Sequence, residues 1–131
     1  MRRVALAVAS LALSVSCVAC ATPRNQLNTA AGQCFRSLPA ARAEVGRKGE
    51  LVGVHLVSRR TLARAFPAAS PIQERRVCAV AFQDDYRPGD IPHAEPAGPG
   101  RFAVVILDVD GTRALTTLVV DRLPRGFGHG I

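Results

Sequence analysis

Grouped carboxylates are the first candidates for chemistry in this chain. Asp108 and Asp110 stand two residues apart at the end of an apolar run, and Gly111 follows them. Paired carboxylates serve as nucleophile and as acid or base in hydrolases, and as oxygen ligands for hard metal ions. An Asp-Gly pair between two apolar runs is also a strong signal for a β-hairpin. The spacing therefore has a chemical and a structural interpretation.

The stretch 103–112, AVVILDVDGT, resembles the first motif of haloacid-dehalogenase-type phosphatases. This resemblance implies that Asp108 is the phosphoryl-accepting nucleophile and Asp110 the acid/base. That family also needs a Lys and further acidic Mg²⁺ ligands, whereas the residues after Thr112 contain no Lys and a single acid, Asp121. The stretch is also similar to part of a calcium loop but lacks its closing Glu. We therefore favour the hairpin interpretation.

A second candidate is the segment 84–100, DDYRPGDIPHAEPAGPG, which we call the acidic loop. Loops of this length are often functional. We predict that it contacts a ligand or partner through Asp84, Asp85, Tyr86, Asp90, His93 and Glu95. Neither this loop nor the three histidines of the chain have metal-ligand spacing, so we predict no metal site and no cofactor.

The N-terminus has the pattern of an export signal. Arg2 and Arg3 precede the apolar run 4–15. This run is shorter than the roughly 20 apolar residues of a membrane-spanning helix and matches the core of a signal peptide. If the apolar and small residues are counted through Ala21, the stretch approaches the length of a membrane-spanning helix, so an uncleaved membrane anchor is the alternative. We predict export, with residues 1–20 as the signal peptide.

Two cleavage patterns overlap at the end of this segment. Ala19-Cys20-Ala21 fits an ordinary signal peptidase site. The residues up to Cys20 resemble the lipobox of bacterial lipoproteins, although Cys17 stands where an aliphatic residue is usual. This resemblance implies that Cys20 is lipidated and attaches the chain to the membrane. We favour the lipoprotein over ordinary cleavage, and assign residues 21–32 to a polar tether.

Export changes the meaning of the charge. The 131 residues carry a formal charge of +7, which taken alone suits a nucleic-acid binder. Without Arg2 and Arg3 the charge is about +5, and one Tyr, five Phe and no Trp offer little for base stacking. Nucleic acid is also the wrong partner for an exported protein. Anionic lipid headgroups or cell-wall polymers suit this charge better than nucleic acid, but we favour the simpler interpretation of a solvated basic surface.

Processing removes Cys17 and either removes or lipidates Cys20, so only Cys34 and Cys78 remain as thiols. An even pair of cysteines in an exported domain usually forms a disulfide. The closed loop spans about 45 residues, for which the chain-entropy model gives roughly 4 kcal/mol of stability. Two buried free thiols are the alternative.

The order of apolar runs and breakers predicts one small α+β domain over residues 33–131. Two short helices are predicted at 37–46 and 59–66, with Ser37 and Ser58 as their N-caps. Four strands are predicted at 50–57, 75–83, 101–108 and 115–121. The tight hairpin between the last two strands makes the sheet mainly antiparallel.

Alternation in the second predicted strand defines two faces of the sheet, which we call the Cys78 face and the Ala79 face. Val80 and Phe82 lie with Cys78. A bridge to Cys34 brings the first helix to the Cys78 face, and we expect both helices there. Two short helices cannot shield both faces, so the Ala79 face is expected to meet a partner, a second copy or the acidic loop.

These observations predict an exported, lipid-anchored envelope protein that binds a protein or a cell-wall polymer. The oligomeric state does not follow from them. The alternative function is a small extracytoplasmic hydrolase or metal-dependent enzyme that uses Asp108 and Asp110 or the acidic loop. For His55, on a predicted strand, we expect a structural hydrogen bond. The C-terminal segment 125–131 is expected to be frayed.

Overall fold

An antiparallel sheet in the order β1-β2-β3-β4 organises the part of the chain that the computed structural model describes, residues 30–95 and 98–127. Runs rich in β-branched and other apolar residues form its strands. The strands are β1 Glu50–Ser58, β2 Arg76–Tyr86, β3 Gly100–Leu107 and β4 Ala114–Val120. The predicted α+β class and the four-stranded antiparallel sheet are confirmed. The predicted signal peptide, Cys20 and the tether up to residue 29 lie outside the described residues.

Two short α-helices accompany the sheet, α1 at Leu38–Glu44 and α2 at Arg59–Ala65. A 3₁₀ helix at Ala30–Ser37 leads directly into α1, and a single 3₁₀ turn at Pro67–Ala69 follows α2. Both predicted helices are therefore present. The first helical residues lie at Ala30, inside the segment assigned to the tether.

The two predicted N-caps behave differently. Ser58 has an extended backbone, and its hydroxyl oxygen accepts a hydrogen bond from the Thr61 backbone N–H at 3.2 Å, as predicted. Ser37 is wrong as a cap: its hydroxyl donates to the Cys34 carbonyl instead. The reason is that the 3₁₀ helix already places Ser37 in helical conformation, whereas a capping residue needs an extended one.

The expectation that both helices cover the Cys78 face is wrong, because α1 and α2 lie on opposite faces. On the Cys78 face, α1 and the preceding 3₁₀ helix pack against the strands through Ala41 and Cys34, and Val45 directly after α1 joins them. On the Ala79 face, Leu62 of α2 packs against the strands together with Phe66, which directly follows the helix. The physical reason is that the disulfide fixes only the element that carries Cys34. The chain that leaves the edge strand β1 and forms α2 has no such bridge, so it can pack on either face of the sheet.

The chain itself supplies the cover that the Ala79 face was expected to need. Ala79 and its neighbours on β2 and β3 are buried by Leu62 of α2, by Phe66 directly after it, by Ala69 of the 3₁₀ turn and by Phe127 of the C-terminal segment. The acidic loop goes to the other side, where Ile91 and Ala94 join the Cys78-face core. Each face thus combines one helix with one irregular segment.

The predicted disulfide is present and joins the 3₁₀ helix to β2. The Cys34 and Cys78 Cα atoms are 5.4 Å apart, and both residues are fully buried in the core of the Cys78 face. Because the bridge links the first described helix to a central strand, it fixes the N-terminal end of the domain to the sheet.

Candidate functional site

The Asp108–Asp110 stretch is a hairpin turn between β3 and β4. The Asp108 carboxylate accepts hydrogen bonds from the backbone N–H groups of Thr112 at 3.1 Å and Arg113 at 3.4 Å. Gly111 has a positive φ of 71°, and its N–H donates to the Asp108 carbonyl at 3.0 Å. The hairpin interpretation is confirmed, and the carboxylate of Asp108 is used to hold the turn.

The first half of the acidic loop is tied down by one lysine. The Lys48 ammonium lies 2.7 Å from an Asp90 carboxylate oxygen and donates to the Asp85 carbonyl at 3.3 Å. The same Asp90 oxygen accepts from the Arg87 N–H at 2.8 Å. The hydrogen bond between Asp90 and Lys48 raises the pKa of Lys48 and lowers that of Asp90. Asp84 accepts from the Asp85 N–H at 2.7 Å. These carboxylates stabilise the local fold of the loop.

Tyr86 is the last residue of β2 and is fully buried. Its hydroxyl donates a hydrogen bond to the Lys48 carbonyl at 3.1 Å. Burial raises its pKa to about 12, and the nearby Asp84 carboxylate acts in the same direction. Tyr86 therefore belongs to the core, although the sequence suggested a residue that contacts a ligand.

His93 and Glu95 lie apart from the rest of the predicted loop residues. With Glu44 they line a cleft of about 340 Å³ beside β4. The Glu95 N–H donates to the Thr117 carbonyl at 2.8 Å, and Ala94 forms a parallel bridge with Thr117. This contact covers part of the outer edge of β4. The six predicted residues thus form two groups at different places, and their role as a ligand contact stays a prediction.

His55 has the structural role that was expected. Its Nε2 atom lies 3.2 Å from the Phe127 carbonyl oxygen, and the two rings are 5.1 Å apart. Phe127 also meets Phe66 edge-to-face with centroids 5.2 Å apart. The expected fraying of the segment 125–131 is therefore wrong at Phe127, because an aromatic side chain with an apolar site on the sheet packs there. Residues 128–131 lie outside the described residues.

A larger cleft, which sequence reasoning missed, opens at the far end of the Ala79 face. It has a volume of about 640 Å³. The strands end here, beyond the reach of α2, and the C-terminal segment 121–126 forms one wall. We call it the arginine cleft. Its lining residues are Val52, Gln83, Arg101, Phe102, Asp121, Arg122, Leu123, Pro124, Arg125 and Gly126.

Three guanidinium groups and one carboxylate line this cleft. Arg101, Arg122 and Arg125 are exposed, as is Asp121. Within residues 30–95 and 98–127, none of these three arginines donates a side-chain hydrogen bond or forms an ion pair. The Arg101 guanidinium carbon lies 6.0 Å from the centre of the Phe102 ring. The cleft therefore combines free cationic donors with a partly exposed apolar floor.

Three other arginines of the described chain donate side-chain hydrogen bonds within the fold. Arg42 donates to the Gly49 carbonyl, Arg59 to the Gln73 side chain at 3.3 Å, and Arg113 to Glu74 at 3.4 Å. The only sequence signal for the cleft was the sequence DRLPRG after the last strand, where two arginines flank Leu123-Pro124. Arg101 could not be added to it, because it is distant in sequence and only the β3–β4 pairing brings it near.

No group of three or more His, Cys, Asp and Glu side chains in the described ranges could hold a metal ion. None of the helices among those residues combines the length and the apolar character needed to cross a membrane.

Comparisons with protein-family profiles, with curated proteins and with solved structures found no match for this chain. The fold and the cleft therefore define the class directly: a disulfide-bonded α+β domain with an arginine-lined cleft.

Proposed function

We propose that this chain is an exported envelope protein, attached to the membrane by a lipid on Cys20, whose α+β domain binds a ligand. The observation that carries export is the buried Cys34–Cys78 disulfide. Structural disulfides form and persist in oxidising compartments outside the cytoplasm. The bridge is compatible with an extracytoplasmic location, and the charge and apolar pattern of residues 1–20 supports the same assignment.

Binding is favoured over catalysis by where the polar groups are. Asp108, which the phosphatase-like motif would need as a nucleophile, accepts two backbone hydrogen bonds within its turn. Asp90 is paired with Lys48. The arginine cleft, in contrast, presents donors that the fold does not use, in a concave surface with the volume of a small-molecule site. Such a surface suits recognition of an anionic envelope component.

Attachment is tested by fractionation of cells that produce the full chain. We expect the native chain in the membrane fraction and the Cys20→Ser variant in the soluble exported fraction, because the thiol that would carry the lipid is gone. Cys17→Ser is the matched control, since Cys17 would be removed with the signal peptide, and it should leave the chain at the membrane. Unchanged membrane attachment of the Cys20→Ser variant would contradict the lipid anchor.

Export is tested on the same material by alkylating the denatured chain without reduction. We expect neither Cys34 nor Cys78 to be modified in native cells, and both to be modified when the signal residues are deleted so that the chain stays in the reducing cytoplasm. Two reactive thiols in the native material would contradict export to an oxidising compartment.

A further inference from the structure

The arginine cleft is built from four segments that are distant in sequence, one from each of β1, β2 and β3 and the C-terminal segment 121–126. Phe102 pairs with Val120 across β3 and β4, and Arg101 and Asp121 flank this pair. The chain then continues through Arg122 to Arg125 along the same cavity. Antiparallel pairing thus gathers three cationic side chains at one end of the sheet, next to a partly exposed apolar floor.

Like charges brought together cost free energy unless a counter-charge is present. Arg101, Arg122 and Arg125 share the cleft with one carboxylate, Asp121, which leaves an excess of about two positive charges. A phosphate monoester carries about 1.5 to 2 negative charges at neutral pH, which matches this excess. The planar, forked donors of arginine also fit phosphate oxygens in a bidentate manner.

The floor of the cleft adds a second requirement on the ligand. Val52 and Phe102 are half-buried side chains from β1 and β3, and Leu123 faces them from the C-terminal wall. Apolar surface of this kind gains free energy when a non-polar part of a ligand covers it. Inorganic phosphate would leave this surface in water, whereas a phosphate ester with an organic body would cover it.

We infer that the arginine cleft binds a phosphate ester, with the phosphate held by Arg101, Arg122 and Arg125 and the organic body lying on Phe102 and Leu123. This inference rests on the proposed function for its setting, a phosphate-bearing component of the cell envelope. A concave site of about 640 Å³ encloses a discrete ligand better than it meets the plane of a bilayer, so the ligand is free or polymer-borne.

The test uses the chain purified as the cell processes it, in a non-ionic detergent, with hexyl phosphate as the probe and titration calorimetry as the readout. We expect measurable affinity for hexyl phosphate, weaker affinity for inorganic phosphate and none for hexanol. Arg101→Gln, Arg122→Gln and Arg125→Gln should each weaken binding of hexyl phosphate about tenfold, as expected for one charge-assisted hydrogen bond.

Two variants separate a built site from general attraction to a basic protein. Asp121→Asn removes the single carboxylate of the cleft, so it should tighten binding of hexyl phosphate about two- to fivefold. The triple replacement of Arg60, Arg64 and Arg75 by Gln changes the net charge as much as replacing all three cleft arginines. These control arginines are exposed outside the cleft, so the affinity should change less than twofold. Matching circular dichroism spectra establish that each variant is folded.

Three results would overturn the inference. The first is a loss of affinity in the control triple variant as large as in the variants of the cleft arginines, which would show that hexyl phosphate is attracted by net charge alone. The second is binding to poly-L-glutamate or to phosphatidylglycerol vesicles without binding to hexyl phosphate, which would assign the cleft to an acidic peptide or to a bilayer. The third is loss of binding in Asp121→Asn. The membrane fractionation of the Cys20→Ser variant is independent of these results, so failure of the anchor and failure of the cleft are distinguishable.

Discussion

Alkaline pH should destabilise the domain through one side chain, Tyr86. This residue is fully buried, and its hydroxyl donates to the Lys48 carbonyl at 3.1 Å. Ionisation would place an anion in the core, so burial, together with the nearby Asp84 carboxylate, raises the pKa of Tyr86 to about 12. In the unfolded chain the pKa of tyrosine is about 10.

The sign and the size of the effect follow from these two pKa values. Below about pH 10 both the folded and the unfolded chain keep the phenol proton, so Tyr86 contributes no pH dependence to stability. Between about pH 10 and 12 the unfolded chain loses the proton while the folded chain keeps it, so stability falls as pH rises. The expected loss in the free energy of unfolding is about 1.4 kcal/mol at about pH 11 and approaches about 2.7 kcal/mol above pH 12.

The measurement is direct because Tyr86 is the single tyrosine of a chain without tryptophan. The near-ultraviolet absorbance change of phenolate formation therefore follows this one group. We expect a titration midpoint near 12 for the folded chain and near 10 in concentrated guanidinium chloride. Urea unfolding at about pH 9 and about pH 11 then gives the loss of stability.

Tyr86→Phe is the matched control. It keeps the ring but removes the hydroxyl, so it should cost about 1 kcal/mol at about pH 9. At about pH 11 the wild type has lost about 1.4 kcal/mol that the variant keeps, so the variant should be at least as stable as the wild type. The hydrogen bond to Asp90 also raises the pKa of Lys48, but Lys48 is present in both chains. The difference in pH dependence between wild type and Tyr86→Phe therefore belongs to Tyr86. A native midpoint near 10, or equal pH dependence in the two chains, would refute the reasoning.

Three further predictions concern the parts that hold the domain together. Replacing Cys34 and Cys78 together by Ala should lower the free energy of unfolding, measured by urea unfolding, by about 4 kcal/mol, since the bridge closes a loop with a sequence separation of 44. A loss no larger than that of a control substitution that leaves the bridge intact, such as Ala40→Gly, would argue against a stabilising role of the disulfide. In the same assay, Gly111→Ala should lower the free energy of unfolding by about 1 to 3 kcal/mol more than Gly46→Ala. Both glycines have a positive φ, but only at Gly111 would a Cβ atom lie 2.9 Å from the Ser37 Cβ atom. Equal losses would show that backbone conformation alone accounts for the cost of both substitutions. Phe127→Ala should lower the thermal midpoint and cost about 3 to 5 kcal/mol, because Phe127 packs on Phe66 and His55; a change below about 0.5 kcal/mol, the size expected of an exposed position, would show that the C-terminal segment does not pack on the sheet.

Local pattern was sufficient to predict the elements and the disulfide. Alternating apolar residues define the strands, and the Ser58 hydroxyl beside a run of helix formers marks the start of α2. The Asp110-Gly111 pair marks the hairpin for a similar reason, since Gly111 readily adopts the positive φ that the turn requires. These features are decided within a few residues, so the sequence alone carries them.

Cap and core roles were harder to predict, because they depend on what precedes or covers a residue. Ser37 is of a residue type that is common at N-caps, but it lies inside a continuous helical segment. Tyr86 looks like a loop residue, yet β2 continues through it and buries it. In both cases the neighbouring structure, and not the residue type, sets the role.

The amino-acid sequence by itself determined the α+β class, the four strands, the two helices and the pair of cysteines that bond, because each depends on periodicity, on local turn chemistry or on pairing two remaining thiols. Tertiary structure alone decided that α2 lies on the Ala79 face, that Phe127 closes that face, and that Arg101 lines the same cleft as Arg122 and Arg125. These facts require strand pairing and packing between residues distant in the chain, and nothing in the local pattern of either partner encodes the distance between them.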